Sequence, residues 1–95
     1  MKMLVYAFPC QTIQIRVVDS YSPTGESDNC KELCAMSANA ISGFAAKARE
    51  VHTKFADIDE TIVFGPYDYA EKFKEYLLED FPGAKVRIVS PRKGF

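Results

Sequence analysis

The sequence predicts a small α/β domain, a two-layer sandwich in which a mixed four-stranded sheet carries two helices on one face. Three observations favour this class. The 95 residues suffice for one core but not for two. Hydrophobic residues make up 47% of the chain, with five Tyr and seven Phe among them. Short segments with strand periodicity alternate with segments of helical periodicity, in the order ββαβαβ.

The first two strands form a predicted hairpin. Residues 2–8 are apolar and end at Pro9, and residues 12–18 alternate between apolar and polar side chains. A short connection between two such runs is typical of antiparallel neighbours. The alternation indicates that the second strand has one buried face and one wetter face.

A long first helix follows in the prediction. Residues 19–29 are rich in loop formers and end at Asn29, a favourable N-cap with Glu32 three positions later. Apolar residues then recur at helical spacing as far as Phe55, which gives a helix of roughly 40 Å. Because a domain of this size has a radius of gyration of about 13 Å, this helix either bends at Ser42-Gly43 or projects onto a partner.

The second half of the chain predicts a strand, a helix and a strand. Residues 61–64 (TIVF) are apolar on both faces and indicate a central strand, and Asp68 is the predicted N-cap of the second helix. The final strand lies within 84–89, and 90–95 form a polar C-terminal tail of the single domain 1–95. The inward stripe of the second helix consists of Ala70, Phe73, Tyr76, Leu77 and Phe81.

Right-handed crossovers would make the second, third and fourth strands parallel and place both helices on one face. This arrangement resembles a shortened ribonuclease H-like topology, and it is similar to an actin-like half-domain. The first strand of that family normally carries a catalytic aspartate, whereas residues 2–8 here read KMLVYAF. The prediction is also one strand short of that topology.

Three polar segments are expected together at the carboxyl ends of the parallel strands, where open α/β sheets bind ligands. Paired aspartates there can hold a metal or exchange protons, an arginine can meet a phosphate, and helix N-termini favour anions. The same residues are ordinary parts of turns and caps, which is the interpretation the pattern favours. The candidate ligand-binding residues are Asp19, Ser20, Thr24, Gly65, Tyr67, Asp68 and Arg92.

The uncovered face of the sheet is a second candidate. Arg16, Lys85 and Arg87 are predicted to point outward there, and basic groups between apolar side chains can hold single-stranded nucleic acid. The net charge of −1 and a pI near 5.8 disfavour that partner. A solvated face or a self-association surface is the favoured interpretation.

The cysteines indicate a reducing compartment. Cys10, Cys30 and Cys34 are an odd number in a chain without an export-signal pattern, so we expect free thiols and a cytoplasmic protein. They and His52 lack the spacing of a zinc motif, so no metal and no cofactor is predicted. The longest apolar run, residues 3–8, is far shorter than the roughly 20 residues that span a membrane.

Small side chains flank the apolar stripe of the predicted first helix and would let another backbone approach closely; they are Ala35, Ala38, Ser42, Ala45 and Ala46. With the length of that helix, they favour a symmetric homodimer. The sequence therefore predicts a non-catalytic, homodimeric module that binds another protein. The alternatives are a nucleotide- or phosphate-handling or metal-dependent enzyme using the loops after strands two and three, and nucleic-acid binding on the open sheet face.

Overall fold

The computed structural model describes residues 1–19 and 32–90. These residues form five strands and two helices, and the chain order is strand, strand, strand, helix, strand, helix, strand. The elements are β1 (Lys2–Tyr6), β2 (Ile13–Val18), β3 (Glu32–Ala38), α1 (Ile41–Lys54), β4 (Glu60–Phe64), α2 (Tyr67–Asp80) and β5 (Val86–Val89).

The strands form one mixed sheet in the order β3-β2-β1-β4-β5. β1 pairs with β2 in antiparallel fashion, as the hairpin pattern predicts, and with β4 in parallel. β3 is antiparallel to β2, and β5 is parallel to β4. β2 therefore runs opposite to the other four strands. Val5, at the centre of the sheet, lies between Ile15 on β2 and Val63 on β4.

The core lies between one face of the sheet and the two helices. Phe44 of α1 and Phe73 of α2 meet edge to face, with ring centroids 4.9 Å apart, a geometry that adds about 0.5–1.5 kcal/mol to the gain from burial. The helical core residues are Phe44, Ala48, Val51, Ala70, Phe73 and Leu77, and those from the sheet layer are Met3, Val5, Ala7, Ile13, Ile15, Val17, Ala38 and Val63.

The predicted helix from Asn29 to Phe55 is wrong. Glu32–Ala38 is a strand, α1 begins at Ile41, and Asn29 lies outside the described residues. Ser42-Gly43 therefore lies in the first turn of α1 and is not a bend within a longer helix. The helix, which was expected either to bend or to project onto a partner, is only 14 residues long.

Pairing with β2 explains why residues 32–38 form a strand. Their Ala and Met residues favour helix in isolation, but the antiparallel ladder satisfies the backbone and places Met36 against the core. The register shifts between Val17 and Val18. This bulge lets the neighbouring side chains of Leu33 and Cys34 both contact the core.

The missed strand also reverses a predicted direction. We expected β2 and the TIVF strand to be parallel, but β1 separates them and β2 runs antiparallel to both. The crossover through α1 starts from β3, and β3 has the direction of β1 and β4. The crossover therefore still joins parallel strands, although they are not the strands that the sequence indicated.

The turn from β4 into α2 requires glycine at position 65. Gly65 has a φ of 152°, a region that residues with a Cβ rarely adopt. A Cβ placed there would lie 2.0 Å from the carbonyl oxygen of Ala7. The same close approach is fixed by the backbone hydrogen bond that Ala7 donates to the carbonyl of Phe64, at 2.8 Å.

We predict that Gly65→Ala lowers the free energy of unfolding by about 2–4 kcal/mol, because it combines backbone strain with a clash against main chain. Gly43→Ala is the matched control. Gly43 lies within α1, and a Cβ there would be 3.6 Å from the Cβ of Ala38 on β3, which is an ordinary van der Waals contact. That variant should be as stable as the wild type or up to about 1 kcal/mol more stable. Urea midpoints at equal m-values measure both changes, and equal midpoints for Gly65→Ala and the wild type would contradict the close approach.

Candidate functional site

The predicted cluster of three polar loops forms only in part: β4 and β5 are parallel and end on the same side of the sheet, whereas β2 ends on the opposite side. Asp19 follows β2, whereas Gly65, Tyr67 and Asp68 follow β4, and those two strands end at opposite edges of the sheet. The expected meeting of Asp19 with Asp68 is therefore wrong, because it required β2 and β4 to be parallel. Of the remaining candidates in that group, Ser20, Thr24 and Arg92 lie outside the described residues.

The carboxyl end of β4 carries exposed polar groups. Tyr67 is 54% exposed, and a side-chain hydrogen bond with Glu71 raises the pKa of its phenol. Asp68 is not the N-cap, since Pro66 occupies that position without a side-chain cap. It lies in the first turn of α2, where a carboxylate interacts favourably with the helix dipole. That same charge opposes binding of a phosphate at this helix end.

Two of the three basic candidates on the other face of the sheet are neutralised by carboxylates. Arg16 donates from Nε to Oε1 of Glu32 at 2.5 Å, and this hydrogen bond raises the pKa of the guanidinium. Nε of Arg87 lies 3.3 Å from Oε2 of Glu60. Lys85, the third candidate, is exposed. Two basic side chains that would contact a nucleic-acid backbone are thus paired within the protein.

Aromatic rings also lie on this face. Tyr6 and Phe64 are opposite each other on β1 and β4, with ring centroids 4.9 Å apart and planes within 10°. Each ring turns one face toward the other, which reduces the ring surface on which a base could stack. Beside them Leu4 and Ile62 are buried, Ile62 completely.

Ion pairs connect the amino ends of β1 and β4. Nζ of Lys2 lies 2.7 Å from Oδ1 of Asp59 and 3.3 Å from Oε1 of Glu60. The hydrogen bond between Lys2 and Asp59 raises the pKa of the ammonium and lowers the pKa of that carboxyl. Since Asp59 is exposed, the pair contributes little to stability.

The metal-ligating residue types are spread over separate elements. Cys10 is exposed between β1 and β2, Cys34 is half-buried on β3, and His52 lies on α1; both of these thiols are free. Among residues 1–19 and 32–90, no three His, Cys, Asp or Glu side chains are grouped so as to hold a metal ion. Neither helix in this part of the chain has the length and apolar character needed to cross a membrane.

A small pocket of about 350 Å³ lies where α1 ends and β4 begins. Its most unusual group is His52, whose ring stacks on Phe81 with centroids 4.1 Å apart. The Nε2 atom of His52 is buried and finds no hydrogen-bond partner among the described residues. Burial lowers the pKa of His52, because the charged imidazolium would lose hydration there.

A larger groove, of about 730 Å³, runs along the outer side of α2. We call it the α2 groove; it is lined by Ile41, Lys72, Glu75, Tyr76, Leu78 and Glu79. Its apolar side chains are Ile41, Tyr76 and Leu78. Its charged side chains form no ion pair within the described part of the chain.

Tyr76 is the functional candidate that sequence reasoning missed. We predicted it on the inward stripe of α2, but it is 41% exposed, whereas Ala70, Phe73 and Leu77 are buried as predicted. Tyr76 is rotated by about 100° around the helix axis from Leu77, toward the side of α2 that carries the exposed side chains of Lys72 and Glu79. Tyr76 lies on one helical stripe with the charged residues Lys72 and Glu79, and this spacing was the sequence signal for an outward-facing ring.

Comparison of the sequence with known protein families gives no match, and comparison with curated proteins gives no significant match either.

We predict that the protein loses stability as the pH falls below about 6.5, the unfolded pKa of histidine. The pKa of His52 is lowered in the folded state, so the unfolded state binds the proton more readily and acid favours unfolding. His52 is the single histidine of the sequence, so an NMR pH titration of its imidazole protons should give a pKa below 6.5.

His52→Phe keeps an aromatic ring against Phe81 and removes the titration. Between pH 7.5 and 5.0 the wild type should therefore lose more unfolding free energy than this variant. The other titratable groups lining the pocket are Asp59, Glu60 and Lys85, and they are present in both proteins. Equal losses in the two proteins would show that His52 does not titrate differently on folding.

Proposed function

We propose that this chain is a non-catalytic protein-interaction module that acts as a homodimer and binds another protein in that form. The observation that carries the proposal is the exposed ring of Tyr76 in the α2 groove, which Ile41 and Leu78 also line. Tyrosine is enriched among the residues that dominate binding energy, because a rigid ring buries a large area at a small entropic cost.

The composition of the groove supports a protein partner. Apolar side chains occur beside charged ones that have no ion-pair partner among residues 1–19 and 32–90, an arrangement that resembles the apolar centre and polar rim of protein interfaces. Three large hydrophobic side chains are exposed in the described part of the chain: Tyr67, Tyr76 and Val89. Of these three, Tyr76 is the one that lines the groove.

The two alternative functions have less geometric support. An enzyme that uses Asp19 and Asp68 together would need them at one edge of the sheet, but they follow strands that end at opposite edges. Nucleic-acid binding on the sheet would first require Arg16 and Arg87 to exchange their carboxylate partners for phosphates. Both alternatives therefore rank below protein interaction.

We further propose that the sheet is a variant of the ribonuclease H-like topology that lacks catalytic function. The predicted sheet had four strands, one fewer than that topology, and β3 is the fifth strand. β1, reading KMLVY, has no acidic residue where that family normally carries its catalytic aspartate.

A cytoplasmic location is supported by the free thiols of Cys10 and Cys34, the first of them exposed.

We predict that light scattering after size exclusion gives a mass near twice the 10.7 kDa of the chain at tens of micromolar. Tyr76→Ala should weaken the dimer at least about tenfold, because it removes the central ring of the contact. Tyr67→Ala is the matched control, since that ring is more exposed but lies outside the groove. A wild-type monomer at millimolar concentration, or equal dimerisation of all three proteins, would overturn the proposal.

A further inference from the structure

The α2 groove carries a charge pattern that is complementary to itself. Lys72, Glu75, Tyr76 and Glu79 lie at positions i, i+3, i+4 and i+7 of one helix, so they form a single stripe. Lys72 and Glu79 are at its two ends, two turns and about 10.5 Å apart. The positive charge is therefore at the amino end of the stripe, and a negative charge is at the carboxyl end.

Reversing the stripe about its midpoint brings opposite groups together. The midpoint falls between Glu75 and Tyr76, so a second α2 laid antiparallel on the first places Lys72 against Glu79 of the partner subunit. The same operation places the carboxylate of Glu75 against Tyr76 of the partner subunit, whose hydroxyl can donate a hydrogen bond to it. Every polar group of the stripe thus meets a suitable one.

A parallel arrangement of the two helices lacks this complementarity. It would place Lys72 beside Lys72 of the partner subunit and Glu79 beside Glu79 of the partner subunit, and like charges in contact cost free energy. A two-fold axis perpendicular to the helices gives the antiparallel arrangement and closes the assembly at two subunits. The charges therefore select one of the two symmetric arrangements.

These groups are available for such a contact. Lys72 and Glu79 have no ion-pair partner in the described part of the chain, whereas Arg49, on the neighbouring helix, is paired with Asp80 at 3.2 Å. Ile41 and Leu78 add apolar surface beside the stripe. The contact would thus combine an aromatic and aliphatic centre with charged pairs at its two ends.

We propose that the occupant of the α2 groove is a second copy of this chain, with the two α2 helices antiparallel and Lys72 paired with Glu79 of the partner subunit. This inference rests on the proposed homodimer and specifies its contact. Because the end pairs lie at the rim of the contact, the dimer should weaken as ionic strength rises.

Charge reversal at the two ends of the stripe tests the arrangement. Lys72→Glu creates two Glu–Glu contacts in its homodimer, and Glu79→Lys creates two Lys–Lys contacts. Each variant alone should dimerise at least about tenfold more weakly than the wild type in 50 mM salt, because attraction becomes repulsion at two symmetric places. Lys54→Glu, a reversal on the exposed end of α1, is the matched control and should dimerise as the wild type does.

Mixing the two variants gives the decisive result. In a heterodimer of Lys72→Glu with Glu79→Lys, both end contacts again join opposite charges. An equimolar mixture should therefore recover dimers within about threefold of the wild-type affinity, although neither variant dimerises well alone. The double variant Lys72→Glu/Glu79→Lys should recover them too. Circular dichroism and thermal melts show whether each single variant is folded.

The outcomes separate this inference from the proposed function. A wild-type protein that stays monomeric overturns both and leaves the groove to a different protein. A dimeric wild type whose single variants dimerise normally overturns the antiparallel pairing but keeps the homodimer. Folded single variants whose mixture stays monomeric also overturn the pairing, because then the charges act within one subunit and not between two.

Discussion

The structure depends on β1, which is held between an antiparallel and a parallel neighbour at the centre of the sheet. Met3, Leu4 and Val5 are all buried, so this strand removes apolar surface from water on both of its faces. Its two ladders also determine that β2 runs opposite to β4. Each end of the sheet consequently receives a different set of loops, and the polar residues of the chain are divided between the two ends.

The end of β1 also sets the geometry of the turn that starts α2. Ala7 and Gly65 approach so closely that no side chain fits between their backbones, and α2 begins two residues later. Once the helix starts there, Phe73 and Leu77 point into the core. The groups at the other positions of α2 then face outward, and Tyr76 is among them. The exposed surface of α2 is thus a consequence of how the sheet joins the helix.

The two faces of the sheet have different chemistry. One face forms the main core with both helices, and its apolar residues alternate along β2 with exposed polar ones. On the other face, buried Leu4 and Ile62 lie beside charged side chains, and most of these charges are paired with one another. Ion pairs on this face neutralise charges that composition alone would count as free. The residues of the α2 groove differ, because their charges are not paired within the described residues.

The sequence by itself determined the hairpin of β1 and β2, the buried strand β4 and the inward position of Ala70, Phe73 and Leu77 on α2, because these follow from local periodicity of two or about 3.6 residues. Local periodicity did not determine β3. Its Ala and Met residues suit a helix, and only the ladder to β2 made the strand more favourable. The direction of β2 relative to β4, the separation of Asp19 from Asp68 and the exposure of Tyr76 all depended on long-range pairing. Such contacts join residues that are distant in the chain, so tertiary structure alone decided them.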